Sequence, residues 1–218
     1  VRWFHSGEHL DVNDLYAWSE RVTSSGRIPE VLVVDDEHAV VTYRVARVEP
    51  QGMMGGFKET DLEYIAGLSS SPLDNGGRFI VDSDDWPEER IGVPHPGGRV
   101  LDASTNRMID SHNDTRQDTL GADILRDLLR RGLHPRPGFK YGTRWRCYDR
   151  TIGESHAPWL VIHPAEAPHD WRGACLASRL ASGVGKTWLH PLQIEGIWRY
   201  LSITRPPADS RWNNPNRR

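Results

Sequence analysis

Three side chains in the last third of the sequence have the types that proton transfer and charge stabilisation require. Tyr148 ends an aromatic-rich alternating segment, His156 lies in the polar loop that follows it, and Lys186 lies at a predicted helix-to-strand turn. A phenol and an imidazole can move protons, and an ammonium group can stabilise negative charge. The predicted order of elements brings all three to one end of a small sheet. Taken singly, they also fit an aromatic rim, a loop histidine and a solvated lysine.

Other catalytic patterns fail on spacing. The segment Ser182–Thr187 ends like a phosphate-binding P-loop, but the first glycine of that motif would fall on Leu180, and the segment follows a helix. The histidines near Cys147 and Cys175 do not form the paired spacings of a zinc site. A serine triad has no Gly-x-Ser-x-Gly elbow to support it. Nucleotide hydrolysis, zinc chemistry and serine catalysis are therefore disfavoured.

The composition is that of a globular chain that can form a packed core. Its 218 residues are 37% hydrophobic, and no apolar run approaches the roughly 20 residues of a membrane span. The net charge of -3 excludes a generally basic nucleic-acid binder, so any RNA contact must come from a local patch. Two cysteines cannot form a disulfide framework, which favours a reducing, cytoplasmic location.

A weak internal repeat relates the two ends of the sequence. At one constant offset, Arg21 falls on Arg179 and Ile28 falls on Lys186. Both segments show the order strand, helix, strand, turn, strand. The positions of Tyr148 and His156 would precede residue 1, so the first copy cannot catalyse. We interpret residues 1–50 as a truncated, degenerate structural repeat whose free sheet edge needs a partner.

The remaining segments complete an α+β prediction. Residues 51–78 carry turn and linker residues, and residues 79–135 form a small α+β subdomain that includes an amphipathic helix. Residues 136–206 form a β-β-α-β-β catalytic subdomain, in which residues 140–148 are one strand. The polar residues 207–218 form a tail.

A series of short motifs lies between residues 138 and 190. They are Phe139-Lys-Tyr-Gly142, Arg146-Cys-Tyr148, His156, Trp159-Leu-Val161, Arg179 and Ser182-Gly-Val-Gly-Lys186. In type and order they resemble the catalytic domain of the archaeal tRNA-splicing endonucleases, or tRNA-intron lyases. The sequence departs from the family where Gly185 replaces the usual basic residue, in a slightly short loop before His156, and in its incomplete first repeat.

The resemblance implies a catalytic role for each member of the trio. Tyr148 would be the general base, His156 the general acid and Lys186 the cation that stabilises the charged phosphorane. The 2′-hydroxyl before the cut would attack its own phosphorus and leave a 2′,3′-cyclic phosphate and a 5′-hydroxyl. No metal or cofactor is required. The implied substrate is precursor tRNA with a bulge-helix-bulge at the intron junction, which a protein recognises by shape.

The resemblance also implies two clamping arginines. Arg179 matches the helix arginine of the family, and the second arginine near the end of the last strand is Arg205, with Arg199 as its rival. A planar guanidinium stacks on a nucleobase, so the pair would sandwich a splayed base.

An acidic turn suggests how the protein assembles. Asp35, Asp36 and Glu37 stand where members of the resembled family use an acidic loop to enter a basic pocket on a neighbouring unit. An ordinary solvated hairpin tip is the alternative. We expect a homodimer, or a complementary endonuclease subunit, with the strand at 41–48 paired to the strand at 197–204 of a second copy.

Two other function classes remain open. The chain could be a noncatalytic RNA-binding or structural subunit of the same assembly, although such a subunit has no need of all three catalytic residues. It could instead be a metal-dependent nuclease that uses Asp82, Asp84 and Asp85. Cleavage in excess chelator separates the metal-dependent reaction from the predicted one.

Overall fold

The chain has a mixed α/β fold, consistent with the predicted α+β class. A computed structural model describes residues 1–81, 85–110 and 119–207. The helices in these ranges are α1 (Val12–Ser24), α2 (Glu59–Ala66), α3 (Ala103–Asp110), α4 (Leu120–Arg130) and α5 (Trp171–Gly183). The strands are β1 (Arg2–His5), β2 (Glu30–Val34), β3 (Val40–Val48), β4 (Ser70–Pro72), β5 (Arg78–Val81), β6 (Val93–His95), β7 (Gly98–Leu101), β8 (His134–Pro137), β9 (Trp145–Tyr148), β10 (Trp159–Val161), β11 (Thr187–Ile194) and β12 (Ile197–Thr204).

The chain divides into two compact units. Unit 1 contains residues 1–49 and 137–146 and the chain from residue 157 onward, and unit 2 contains residues 50–136 and 147–156. The division falls inside β8 and β9. No helix in the described ranges is both long and apolar enough to cross a bilayer.

Helices α1 and α5 of unit 1 begin at aspartate caps. The Asp11 carboxylate accepts the backbone N–H of Asp14 at 2.9 Å, and the Asp170 carboxylate accepts that of Gly173 at 2.8 Å. These bonds satisfy donors that the first turn of a helix leaves unpaired. The buried residues of α5 recur at helical spacing and face the core of unit 1; they are Trp171, Ala174, Ser178 and Ala181.

The sheet of unit 1 contains two β-α-β-β segments side by side. Its strand order is β1-β2-β3-β12-β11-β10, followed by β9. The β1–β2 and β10–β11 pairs are parallel, and the other pairs between β1 and β10 are antiparallel. At the centre, β3 pairs with β12 so that Val45 faces Ile203, and these two residues are equivalent at the repeat offset. Buried residues from both segments form one core, including Val31, Val45, Trp171 and Ile203.

The pairing of β3 with β12 corrects the expected assembly. We expected the strand at 41–48 to pair with the strand at 197–204 of a second copy, but the two pair within one chain. The main-chain donors and acceptors on the edge of β3 that faces β12 therefore already have partners in the same chain. Strand pairing at this position cannot be the reason for a homodimer.

Unit 2 contains a four-stranded antiparallel sheet with the order β4-β5-β7-β6, together with α2, α3 and α4. We expected residues 51–78 to form a linker, but the structure places helix α2 and strand β4 within this range. Leu62 and Ile65 are fully buried one helical turn apart on α2, which gives this segment a packed face. Gly52 has a specific role, because a Cβ atom there would lie 2.0 Å from the carbonyl oxygen of Gly132.

The strand expected at residues 140–148 is shorter in the structure. Residues Phe139–Tyr141 form a 3-10 turn, and β9 begins only at Trp145. Gly142 ends the turn with a φ of 65°, in the left-handed region that favours glycine. The predicted helix around α4 is confirmed, whereas α3 was not predicted. The predicted tail lies outside the described residues beyond Pro207.

Candidate active site

Tyr148 lies at the end of β9, in unit 2. Along β9, buried Trp145 and Cys147 alternate with the partly exposed Arg146 and Tyr148, as expected for a strand with one face in the core. Burial raises the pKa of the Cys147 thiol, which keeps it protonated and unreactive. The Tyr148 side chain is therefore anchored to a rigid strand while part of it reaches solvent.

His134 of β8 packs against Tyr148. The two rings meet edge to face, with centroids 6.4 Å apart and an angle of 65° between the planes. Burial, followed by the charges of Arg136 and Arg90, lowers the pKa of His134 to about 3, although Glu88 opposes this shift. The imidazole beside Tyr148 is therefore neutral at physiological pH. Sequence analysis missed this residue, because only the folded chain shows that it is buried beside Tyr148.

The buried His134 gives a testable pH dependence of stability. In the unfolded chain the His134 imidazole has a pKa near 6.5, whereas in the folded chain its pKa is about 3. We therefore expect the free energy of unfolding to fall as the pH drops from about 6.5 toward 3, by up to roughly 1.4 kcal/mol per pH unit. Denaturant titrations across this range should show a shallower slope for His134→Phe. Equal slopes for the two proteins would contradict the assignment.

His156 lies exposed in the loop between β9 and β10. The Ser155 hydroxyl donates to the Asp149 carboxylate at 3.1 Å, and the Glu154 N–H donates to the carbonyl of Thr151 at 3.1 Å. The Asp149 carbonyl accepts the N–H of Met53 at 2.8 Å, which ties the start of the loop to the rest of unit 2. These bonds order the loop and leave the imidazole accessible to a substrate.

Lys186 lies in unit 1, at the turn between α5 and β11. Its ammonium group donates to the carbonyl of Ala157 at 2.6 Å and lies 5.4 Å from the centre of the Tyr141 ring. Ala157 directly follows His156 in the chain. Gly185 has a φ of 66°, in the left-handed region that favours glycine, so glycine suits the turn that presents Lys186.

The predicted trio is therefore divided between the two units. Tyr148 and His156 belong to unit 2, and Lys186 belongs to unit 1. Each residue lies at the end of a strand or in the loop before one, as the sequence predicted. The joint action of the three residues is part of the proposal below.

Arg179 and Arg205 line one cavity of about 640 Å³ in unit 1, which we call the arginine pocket. Arg179 extends from α5, and Arg205 directly follows β12. The pocket is also lined by Arg172, by residues of the acidic turn, and by Tyr43 and Cys175. Arg199 instead lines a different cavity and pairs with Glu49 at 3.1 Å.

The acidic turn has partners within its own chain. The Asp35 carboxylate accepts the N–H groups of Glu37 at 3.0 Å and Ala39 at 2.8 Å, so Asp35 closes the turn. Asp36 lies 3.0 Å from the imidazole of His5 and 3.5 Å from the guanidinium of Arg172. All three acids are exposed, but only the Asp35 carboxylate closes the turn through backbone N–H groups.

The segment that contains the candidate site matches a known protein family. Residues 122–193 match the family model described as tRNA intron endonuclease, catalytic C-terminal domain, and Tyr148, His156, Arg179 and Lys186 all lie within the matched range. Residues 122–193 therefore carry a domain of the tRNA intron endonuclease family. The resemblance stated from the sequence motifs is thereby confirmed.

The tRNA-splicing endonucleases of three archaea are similar to this chain. The protein of Thermoplasma volcanium is 37% identical over 172 residues, which cover 79% of this chain and 53% of the relative. The protein of Picrophilus torridus is 26% identical over 206 residues, 94% of this chain and 63% of the relative. The protein of Natronomonas pharaonis is 36% identical over 87 residues, 38% of this chain and 26% of the relative. The chain thus spans about half to two thirds of the length of the first two relatives.

The acidic residues of the metal-dependent alternative gain no support from the described part of the chain. Asp82 and Asp84 lie outside the described residues, and Asp85 is exposed. In the ranges 1–81, 85–110 and 119–207, no three His, Cys, Asp or Glu side chains form a group that could hold a metal ion.

Proposed function

We propose that this chain is a tRNA-splicing endonuclease that cuts precursor tRNA at bulge-helix-bulge intron junctions. One observation carries the proposal: the segment matched to the catalytic domain of the family contains Tyr148, His156 and Lys186, the three residues to which the motif resemblance assigns the catalytic roles. We place the reaction in the cytoplasm, in keeping with the two free cysteines.

The proposed reaction is an internal attack without a metal or cofactor. Tyr148 takes the proton of the 2′-hydroxyl, and the resulting oxygen attacks the adjacent phosphorus. The bond from phosphorus to the 5′ oxygen then breaks as His156 donates a proton to that oxygen. The products are a 2′,3′-cyclic phosphate and a 5′-hydroxyl, so the proton lost by one oxygen is balanced by the proton gained by the other.

Lys186 supplies the charge that this reaction needs. A phenol is a weak base at neutral pH unless a cation favours its ionised form, and a phosphorane carries additional negative charge. The Lys186 ammonium is held by the Ala157 carbonyl at 2.6 Å, a neutral partner that leaves its charge intact. A fixed cation stabilises the transition state at little reorganisation cost.

Substrate binding is assigned to the arginine pocket. Arg179 and Arg205 line the same cavity, in which two planar guanidinium groups can stack on a base splayed out of a bulge. Because these charges are localised, the protein can bind RNA despite its net charge of -3.

The pocket assignment predicts that the shape of the Arg179 side chain matters as well as its charge. We expect Arg179→Ala to weaken precursor binding about tenfold, in the range of one lost stacking contact, and Arg179→Lys to restore only part of it. Filter-binding titrations at fixed salt measure both values. Arg21→Ala is the matched control, since Arg21 occupies the equivalent position in the first copy. Full rescue by lysine would instead indicate an ordinary surface charge.

We further propose that the acidic turn docks onto a neighbouring subunit, either a second copy or a complementary endonuclease chain. Asp36→Asn with Glu37→Gln removes two exposed charges and leaves Asp35 to close the turn. We expect this variant to dissociate at low salt and to lose at least about tenfold in cleavage. Sedimentation at equal protein concentration tests this expectation. An intact, active assembly would show that the turn is an ordinary surface feature.

The experiment that tests the function compares two RNAs in excess EDTA. An intron-containing precursor should be cut at both junctions, and the matched tRNA without its intron should remain whole. A metal-dependent nuclease would stop in chelator, and a noncatalytic subunit would bind the precursor without cutting it.

A further inference from the structure

The first repeat contributes a buried polar side chain to the arginine pocket. Tyr43 lies on β3, is only 2% exposed and lines the pocket together with Arg179 and Arg205. The equivalent position in the second copy is Leu201, which is 1% exposed. Leu201 shows that an aliphatic side chain is enough to fill this position in the core. Packing alone therefore does not explain why Tyr43 carries a hydroxyl group.

Tyr43 lies next to two residues of the second repeat. The register of β3 and β12 pairs Arg44 with Thr204, so Arg205, the next residue, is opposite Tyr43, and Cys175 of α5 lines the same pocket. Burial, reinforced by Cys175 and opposed by Arg205, raises the pKa of Tyr43 to about 12. The hydroxyl therefore remains protonated and neutral at any working pH, so it cannot serve as a second general base.

A neutral partner suits an arginine that binds RNA. The residue equivalent to Arg205 in the first copy is Arg47, which forms an ion pair with Glu20 at 2.7 Å. Among the residues that the structure describes, no carboxylate forms an ion pair with Arg205. A hydroxyl can orient a guanidinium without cancelling its charge, whereas a carboxylate offsets much of that charge.

We propose that Tyr43 is a positioning residue, which holds Arg205 in the orientation that stacks on a nucleobase in the arginine pocket. The first repeat is then part of the RNA-binding site as well as of the scaffold. This inference rests on the proposed function, because it assigns a role to Tyr43 in the same binding site.

A double-mutant cycle tests the inference. Tyr43→Phe removes only the hydroxyl, and Tyr16→Phe is the matched control at another buried tyrosine of the first copy. We expect Tyr43→Phe to raise KM for the precursor roughly five- to tenfold, while kcat and the pH profile stay unchanged. In an Arg205→Ala background, Tyr43→Phe should have no further effect, because the group that it positions is gone.

The outcomes separate failure of the inference from failure of the proposed function. A wild-type chain that neither binds nor cuts the precursor overturns the function itself. An active wild type with Tyr43→Phe at the wild-type KM, or with effects that add fully to those of Arg205→Ala, overturns the role of Tyr43. Thermal melting of each variant shows the folded fraction, and a loss of kcat in proportion to folded protein would mark Tyr43 as a core residue only.

Discussion

Replacing His156 with alanine is expected to slow precursor cleavage by roughly 10²- to 10⁴-fold, the usual contribution of a general acid. The imidazole is exposed in an ordered loop, so its removal should disturb neither the fold nor RNA binding. Single-turnover rates at saturating enzyme, together with binding titrations, measure the two effects separately. The loss should appear in the rate and leave the Kd within about twofold of wild type.

A chemically altered substrate identifies the role of His156 as an acid. A sulfur atom in place of the 5′ bridging oxygen leaves readily without a proton, so this substrate should restore most of the rate of His156→Ala. His169→Ala is the matched control, because His169 is exposed in the same unit as β10 and α5 and has no assigned role. A wild-type rate for His156→Ala on the ordinary substrate would remove His156 from the mechanism.

Replacing Lys186 with methionine is expected to cost roughly 10²- to 10³-fold in rate, comparable to the loss of one donor to a charged transition state. Methionine keeps most of the length of the side chain but removes the charge and the hydrogen bond to Ala157. The sulfur-substituted substrate should not rescue this variant, because departure of the leaving group is not the step that Lys186 assists.

Two variants control for the non-catalytic effects of this change. Lys140→Met removes an exposed lysine of the same unit and should cut at the wild-type rate. Lys186→Arg keeps the charge with a different geometry and should recover part of the activity. If Lys186→Met lost activity only in proportion to its loss of folded protein, the lysine would be a structural residue.

Local patterns in the sequence were sufficient to predict the elements that carry the candidate site. The helices α1 and α5 have aspartate caps and regular apolar spacing, and the strands around them are short apolar runs. Such features are encoded within a few neighbouring residues, and they also placed Tyr148, His156 and Lys186 at strand ends and loops.

Features that depend on distant parts of the chain were predicted poorly or not at all. The partner of β3 was expected in a second copy, since main-chain hydrogen bonding does not reveal which chain supplies the other strand. Helix α2 was missed because it is only 8 residues long and is flanked by turn residues. His134 packs on Tyr148 from a neighbouring segment, and the register of β3 and β12 places Tyr43 opposite Arg205, which is far away in sequence, so only the fold brings these pairs together.

The central claim is that the RNA itself supplies the nucleophile, without a metal ion. The most direct measurement uses a precursor with a single 2′-deoxynucleotide immediately before one junction, incubated with the protein in excess EDTA. We predict that this junction stays intact, while the unmodified junction is cut to a 2′,3′-cyclic phosphate and a 5′-hydroxyl. Cutting at the deoxy junction, or products with a 3′-hydroxyl and a 5′-phosphate, would contradict the mechanism assigned to Tyr148, His156 and Lys186.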